Sequence, residues 1–250
     1  MATIVSIHSF RGGTGKSNAA ANLATVLAAK GQRVGVIDTD IQSPGIHVLF
    51  GLAGDDVAAS LNDFLWRGCD IEDAARDVTP RLAPGEGRIF LIPSSIQPGE
   101  ITRALREGYD AQRLALGLRR LVTELRLDTL LIDTHPGLHE ETLLSLVISH
   151  VLLILLRPDQ QDYEGTAVTV KVAQGLQVPR MLLVVNKTPS AFDPEAVRRK
   201  VEDTYGCPVA AVLPHSEEMM TLASEGIFVL RYPEHPLTAL YQQVAAALVA

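Results

Sequence analysis

Residues 11–17 read Arg-Gly-Gly-Thr-Gly-Lys-Ser, set between the apolar run Ile4-Val5-Ser6-Ile7 and the alanine-rich run from Asn18 to Lys30. This order constrains the fold more than any other feature, because a strand must run into a tight turn from which a helix starts at once. Glycines there let backbone N–H groups close on an anion, and the positive end of the helix dipole faces the same point. Lys16 is expected to reach the β- and γ-phosphates and the Ser17 hydroxyl to bind Mg²⁺. Gly12, Gly13, Thr14, Gly15 and Asn18 are the remaining expected contacts of the cradle. The strict pattern G-x-x-x-x-G-K-[ST] is missed at one place, since Phe10 stands at its first glycine.

The rest of the chain repeats the strand–helix alternation. Gly31 is a natural residue just past a helix end, and Gln32 to Ile37 reads as a second strand, closing a βαβ unit. Further buried strands are expected at Arg88–Ile92, Thr129–Ile132, Val151–Leu156, Met181–Val185 and Pro208–Leu213. Helical patterns lie between them, at Ser60–Arg67, Glu100–Arg126, Glu140–Ile148, Tyr163–Leu176, Pro194–Tyr205, Glu217–Glu225 and Pro236–Val249. Apolar strands alternating with amphipathic helices predict an α/β fold, a mostly parallel twisted sheet with helices on both faces. Residues 51–87, rich in glycine and proline (Gly51, Gly54, Pro80, Pro84, Gly85, Gly87), are expected to hold loops and a short helix. Nothing reads as a linker, so residues 1–250 are expected to form one P-loop NTPase domain.

Composition excludes several classes. A hydrophobic fraction of 47% fills a core without a metal or disulfide staple. Cys69 and Cys207 are far apart, which argues for a reducing compartment and against a paired-cysteine metal site. Met1 leads into a strand without a basic segment and apolar stretch, so the expected location is cytoplasmic. A net charge of −7 disfavours a generally basic nucleic-acid binder.

Carboxylates recur at the predicted strand ends. Asp38-Thr39-Asp40 follows the second strand, and Asp133-Thr134-His135-Pro136-Gly137 follows the strand ending at Ile132. In a parallel sheet these ends gather beside the glycine loop. Asp38 and Asp133 suit the water shell of a Mg²⁺ ion, and Asp40 can orient an attacking water. His135 and His139 have an i, i+4 spacing, but Pro136-Gly137 breaks the helix a metal pair needs, so hydrogen-bonding or packing roles are expected. Asp159-Gln160-Gln161-Asp162 reads as a polar loop capping the following helix.

These motifs together resemble the MinD/ParA family of deviant Walker A ATPases, whose loop reads Lys-Gly-Gly-x-Gly-Lys-[Ser/Thr]. Asn22-Leu23-Ala24, the Asp38/Asp40 pair, Asp133 with Pro136 and Gly137, Val185-Asn186-Lys187 and Val212-Leu213-Pro214 follow in family order. The resemblance implies ATP and Mg²⁺, with Asn186 facing adenine and Pro214 in the loop flanking the base. It also implies a homodimer sandwiching ATP, slow hydrolysis stimulated by an activating or cargo-adaptor protein, and a role in positioning, partitioning or regulation. Arg11 departs from the pattern, standing where the family has its signature lysine. By resemblance it would reach the partner's phosphates and join Lys16 and Asp40 in catalysis, with a wider donor fork. The tail from Leu237 to Ala250 has no lysine or arginine, so the family's membrane-binding terminal helix is not expected. Non-specific DNA binding would fall to Arg198-Arg199-Lys200 and the arginines of Glu100–Arg126, where interleaved acids favour a solvated face. An alternative is a metabolite-phosphorylating or ligase-type enzyme on the same fold. An Mrp-type iron–sulfur carrier needs closely spaced cysteines, which are absent.

Overall fold

The computed structural model describes residues 2–52, 59–82 and 86–250. The strands are β1 (Thr3–His8), β2 (Arg33–Asp38), β3 (Arg76–Asp77), β4 (Arg88–Ile92), β5 (Thr129–Asp133), β6 (Val151–Leu156), β7 (Met181–Thr188) and β8 (Val209–Pro214). They form one eight-stranded sheet in the order β3-β4-β2-β5-β1-β6-β7-β8. All neighbours pair in parallel except β3, a two-residue strand antiparallel to β4 at the edge. The helices are α1 (Lys16–Ala29), α2 (Ile46–Leu49), α3 (Thr79–Leu82), α4 (Pro98–Glu107), α5 (Ala111–Glu124), α6 (Glu140–Ile148), α7 (Gln160–Gly175), α8 (Pro194–Tyr205), α9 (Glu217–Leu222), α10 (Phe228–Arg231) and α11 (Pro236–Val249).

Strand alternation divides the core. Val5 and Ile7 of β1, Val34 and Val36 of β2 and Leu153 and Leu155 of β6 turn towards α1 and α11. Ile4, Leu130 and Ile132 pack with Leu114, Leu118 and Leu121 of α5, and Leu152, Ile154 and Leu156 pack with Val170 of α7 and Val201 of α8. Every residue of β6 is buried. Each such aliphatic side chain contributes roughly 1.5–3 kcal/mol on removal from water. Helix α1 is rich in alanine because it lies between the sheet and α11, with Ala19, Ala20, Ala21, Ala24 and Ala28 at most 2% exposed.

The helix expected over Glu100–Arg126 is two helices. Gly108 has a φ of +62°, and the Asp110 carboxylate then caps α5 by accepting from the N–H groups of Gln112 and Arg113. The helix expected over Glu217–Glu225 ends at Leu222, where Ala223 and Ser224 adopt positive φ. Of the irregular stretch 51–87, Gly54, Pro84 and Gly85 lie outside the described residues. The described part holds helical turns at Asp63–Arg67 and Ile71–Ala74, the strand β3 and the short α3. Neither β3 nor α10 was expected from the sequence.

Candidate functional site

Strand β1 emerges between β5 and β6, where the sheet order runs outward in both directions, and the loop Ser9–Gly15 fills the resulting crevice. Gly13 and Gly15 have φ of +76° and +98°, and Gly15 is the cap residue immediately before α1. A Cβ on Gly15 would lie 2.7 Å from Nδ2 of Asn186. None of the N–H groups from Gly12 to Asn18 donates to a protein acceptor. The loop carbonyls, by contrast, are held from outside. Asn186 Nδ2 donates to Thr14 O at 2.7 Å, Lys187 Nζ to Gly13 O at 2.8 Å and Ser9 Oγ to Arg11 O at 2.6 Å. Free N–H groups at a helix start make an anion site. Lys16 is buried beside them, its Nζ donating to Ser9 Oγ at 3.1 Å. Burial lowers the Lys16 pKa, while Asp133 and Asp40 act against that shift.

Asp38 and Asp133 end neighbouring strands in direct register, each 1% exposed. Burial and the repulsion of Asp133 and Asp40 push Asp38 well above the usual carboxylate range. Asp133 is pushed up to about 6 by burial, against a hydrogen bond from Ser17 and the charge of Lys16. Asp38 accepts from the N–H groups of Asp40 and Gly45, whereas Asp133 Oδ1 is buried with no partner. Two buried carboxylates with raised pKa values, one with an orphaned oxygen, next to a serine hydroxyl, fit the oxygen chemistry of Mg²⁺. Asp40 sits at their rim. Its Oδ1 accepts from His135 Nδ1 at 2.6 Å and from Ser43 N at 3.1 Å.

The loop after β5 rests on the glycine loop, with Gly137 N donating to Ser9 O at 3.1 Å. The His135 and His139 rings are 5.1 Å apart, and among the described residues no third ligand completes a metal site with them. On the other side of the loop, a cavity of about 400 Å³ opens between Gly15, Asn18, Asn186, Pro214 and α9, with Tyr241 in its wall. The fold thus brings together Gly12–Asn18, Asp38, Asp40 and Asp133, with Asn186 and Pro214 at the adjoining cavity. Arg11 is turned elsewhere. Its guanidinium lies 3.7 Å from both Asp159 and Asp162 at the start of α7, and Asp162 is also bound by Arg157. Asp159 caps α7 as expected.

Sequence reasoning missed His8. It is fully buried, with Nδ1 2.8 Å from Thr134 Oγ1 and Nε2 unpartnered, and burial next to Lys16 pushes its pKa down to about 3. Its position at the end of β1, on the side chain alternation opposite Ile7, was the available signal. Lys187 was read only as a neighbour of Asn186, yet it holds the loop directly. Asn22 proves structural, its Oδ1 accepting from Val229 N. Cys69 and Cys207 are free and pack in separate apolar clusters. Of the arginines in Glu100–Arg126, Arg103 pairs with Glu107, and Arg120 pairs with Asp70 and Glu72. Among the described residues no helix is long and apolar enough to cross a membrane.

Comparison with known proteins finds relatives over nearly the whole chain. A protein of Methanocaldococcus jannaschii named an uncharacterised ATP-binding protein is 28% identical over 250 residues, covering 100% of this chain and 88% of the relative. An iron–sulfur cluster carrier protein of Pseudomonas fragi is 27% identical over 257 residues, covering 97% and 83%. The septum site-determining protein MinD of Pyrococcus horikoshii, solved in complex with Mg-ADP, superimposes with a TM-score of 0.80 at 22% identity, covering 99% of this chain and 96% of that one. The CobQ/CobB/MinD/ParA nucleotide-binding domain matches residues 5–229, and the chain belongs to that family.

Proposed function

We propose that this chain is a Mg²⁺-dependent ATPase that forms a homodimer around ATP and acts in the cytoplasm as a nucleotide-switched positioning, partitioning or regulatory protein with an activating or cargo partner. The observation that carries the reading is the convergence of the unpaired N–H groups of Gly12–Asn18, buried Lys16 and the Asp38–Asp133 pair at one crevice. The relative named ATP-binding and the neighbour solved with Mg-ADP support the choice of ligand.

In this reading the loop N–H groups and Lys16 hold the β- and γ-phosphates. Ser17, Asp38 and Asp133 would hold Mg²⁺, directly or through its waters, and the bound ion neutralises charge that develops on the phosphates. Asp40 orients the attacking water and takes its proton as the water oxygen bonds the γ-phosphorus and ADP leaves with the electrons of the broken P–O bond. Asn186 and Pro214 border the cavity for the base. Arg11 leaves Asp159 and Asp162 to reach the phosphates of the second subunit, where charge-assisted bidentate bonds are strong.

The test is ATP turnover and oligomeric state of the purified chain with Mg²⁺, with and without DNA and liposomes. Wild type is expected to dimerise with a slowly hydrolysed ATP analogue, Lys16→Ala to lose both dimer and turnover, and Asp40→Ala to bind and dimerise without turnover. Unchanged ATP affinity and dimerisation in Lys16→Ala would refute the reading.

A further inference from the structure

His135 lies in the loop between β5 and α6. Its carbonyl accepts from Thr142 Oγ1 at 3.4 Å, and the preceding Thr134 hydroxyl donates to Ile7 O at 3.0 Å. The ring is flanked by His139 and bonded to Asp40 Oδ1 at 2.6 Å, with both side chains about one-fifth exposed. A carboxylate only accepts, so the bridging proton is on Nδ1. Ser43 N takes a second position on that same oxygen. Asp40 Oδ2 has no protein partner. Two donors on Oδ1 and none on Oδ2 fix which edge of the carboxylate stays open. The bond also joins the loop after β2 to the loop after β5, at the one carboxylate of the cluster that lies on its rim.

We propose that His135 is a positioning residue for hydrolysis. It sets the Asp40 carboxylate so that Oδ2 faces the attacking water, and it makes that arrangement depend on both loops being seated together. The inference rests on the reading of Asp40 as the water-orienting group. Holding a reacting group in place governs the chemical step more than ground-state binding, so the effect falls on kcat.

The test is steady-state ATP hydrolysis and ADP affinity of the full chain with Mg²⁺ for wild type, His135→Ala, His135→Asn, Asp40→Ala and the Asp40→Ala/His135→Ala double variant. His135→Ala should lower kcat by about 10- to 100-fold while KM and ADP affinity stay within about twofold. His135→Asn, whose side-chain amide offers a donor near the place of Nδ1, should recover most of the rate. In the residual single-turnover hydrolysis of the Asp40→Ala background the histidine change should add nothing, because the two residues act as a unit. Wild-type kcat in His135→Ala beside an inactive Asp40→Ala would overturn the positioning role alone, as would independent losses in the double variant. A wild-type rate in Asp40→Ala would overturn the reading of Asp40 and this inference with it.

Discussion

Asp133→Asn removes one of two buried carboxylates that face each other across β2 and β5. In the folded chain the Asp133 carboxyl titrates at about 6 instead of 3.8. At about 1.4 kcal/mol per pH unit, that difference corresponds to ~3 kcal/mol of destabilisation when the group is ionised. The acid ionises more readily unfolded than folded, so stability is present below about pH 4 and is lost as the pH rises through about 6. Asparagine has the same shape and no charge, and it also relieves the repulsion that raises Asp38. In neutral buffer with a chelator, Asp133→Asn should therefore melt higher than wild type. The gain is up to ~3 kcal/mol, or roughly 6–12 °C for a chain of this size. The difference should shrink as the pH is lowered towards about 4, where wild type is protonated too. Mg²⁺ with ADP should reverse the order, because ligand binding stabilises only the chain that can hold the ion. Calorimetric melts across pH would decide it. A variant less stable than wild type in chelator at neutral pH, or a gap that persists in acid, would refute the argument that these carboxylates are poised for a cation.

Gly15→Ala should be destabilising by about 2–3 kcal/mol, combining a left-handed backbone cost with displacement of the Asn186 side chain from Thr14 O, and denaturant unfolding would measure it; stability equal to wild type would mean that the loop relaxes around the added methyl. Arg11→Ala should bind ATP as a monomer with near wild-type affinity and fail to dimerise in sedimentation with a slowly hydrolysed analogue, whereas Arg11→Lys should retain much of the dimer. Normal dimerisation of the alanine variant would confine Arg11 to its ion pairs with Asp159 and Asp162.

The glycine loop and the acidic strand ends were legible because they are local: apolar runs stop at Asp38 and Asp133, and parallel strands align their ends. The contacts that complete the site were not. Asp159 and Asp162 meet Arg11 only because β6 lies beside β1, a pairing no window of residues reveals. Lys187 reaches Gly13 from the end of β7 with a φ of +57°, which periodicity does not encode. The break between α4 and α5 was present as Gly108-Tyr109-Asp110, but helical spacing continues on both sides and hid it. Strand β3 pairs two residues with β4 and carries no pattern of its own.

The loop carbonyls tied down by Asn186, Lys187 and Ser9 bear on the thermodynamics of ligand capture. Ordering a free segment costs about 1–2 kcal/mol per residue. Here that ordering belongs to folding and not to binding. The loop is tied down before any phosphate arrives, and capture should carry little entropic penalty from the loop itself. On the proposed reading, a report of nucleotide state to a partner would come instead from the segments after β2 and β5, where the links are side-chain bonds that can be exchanged.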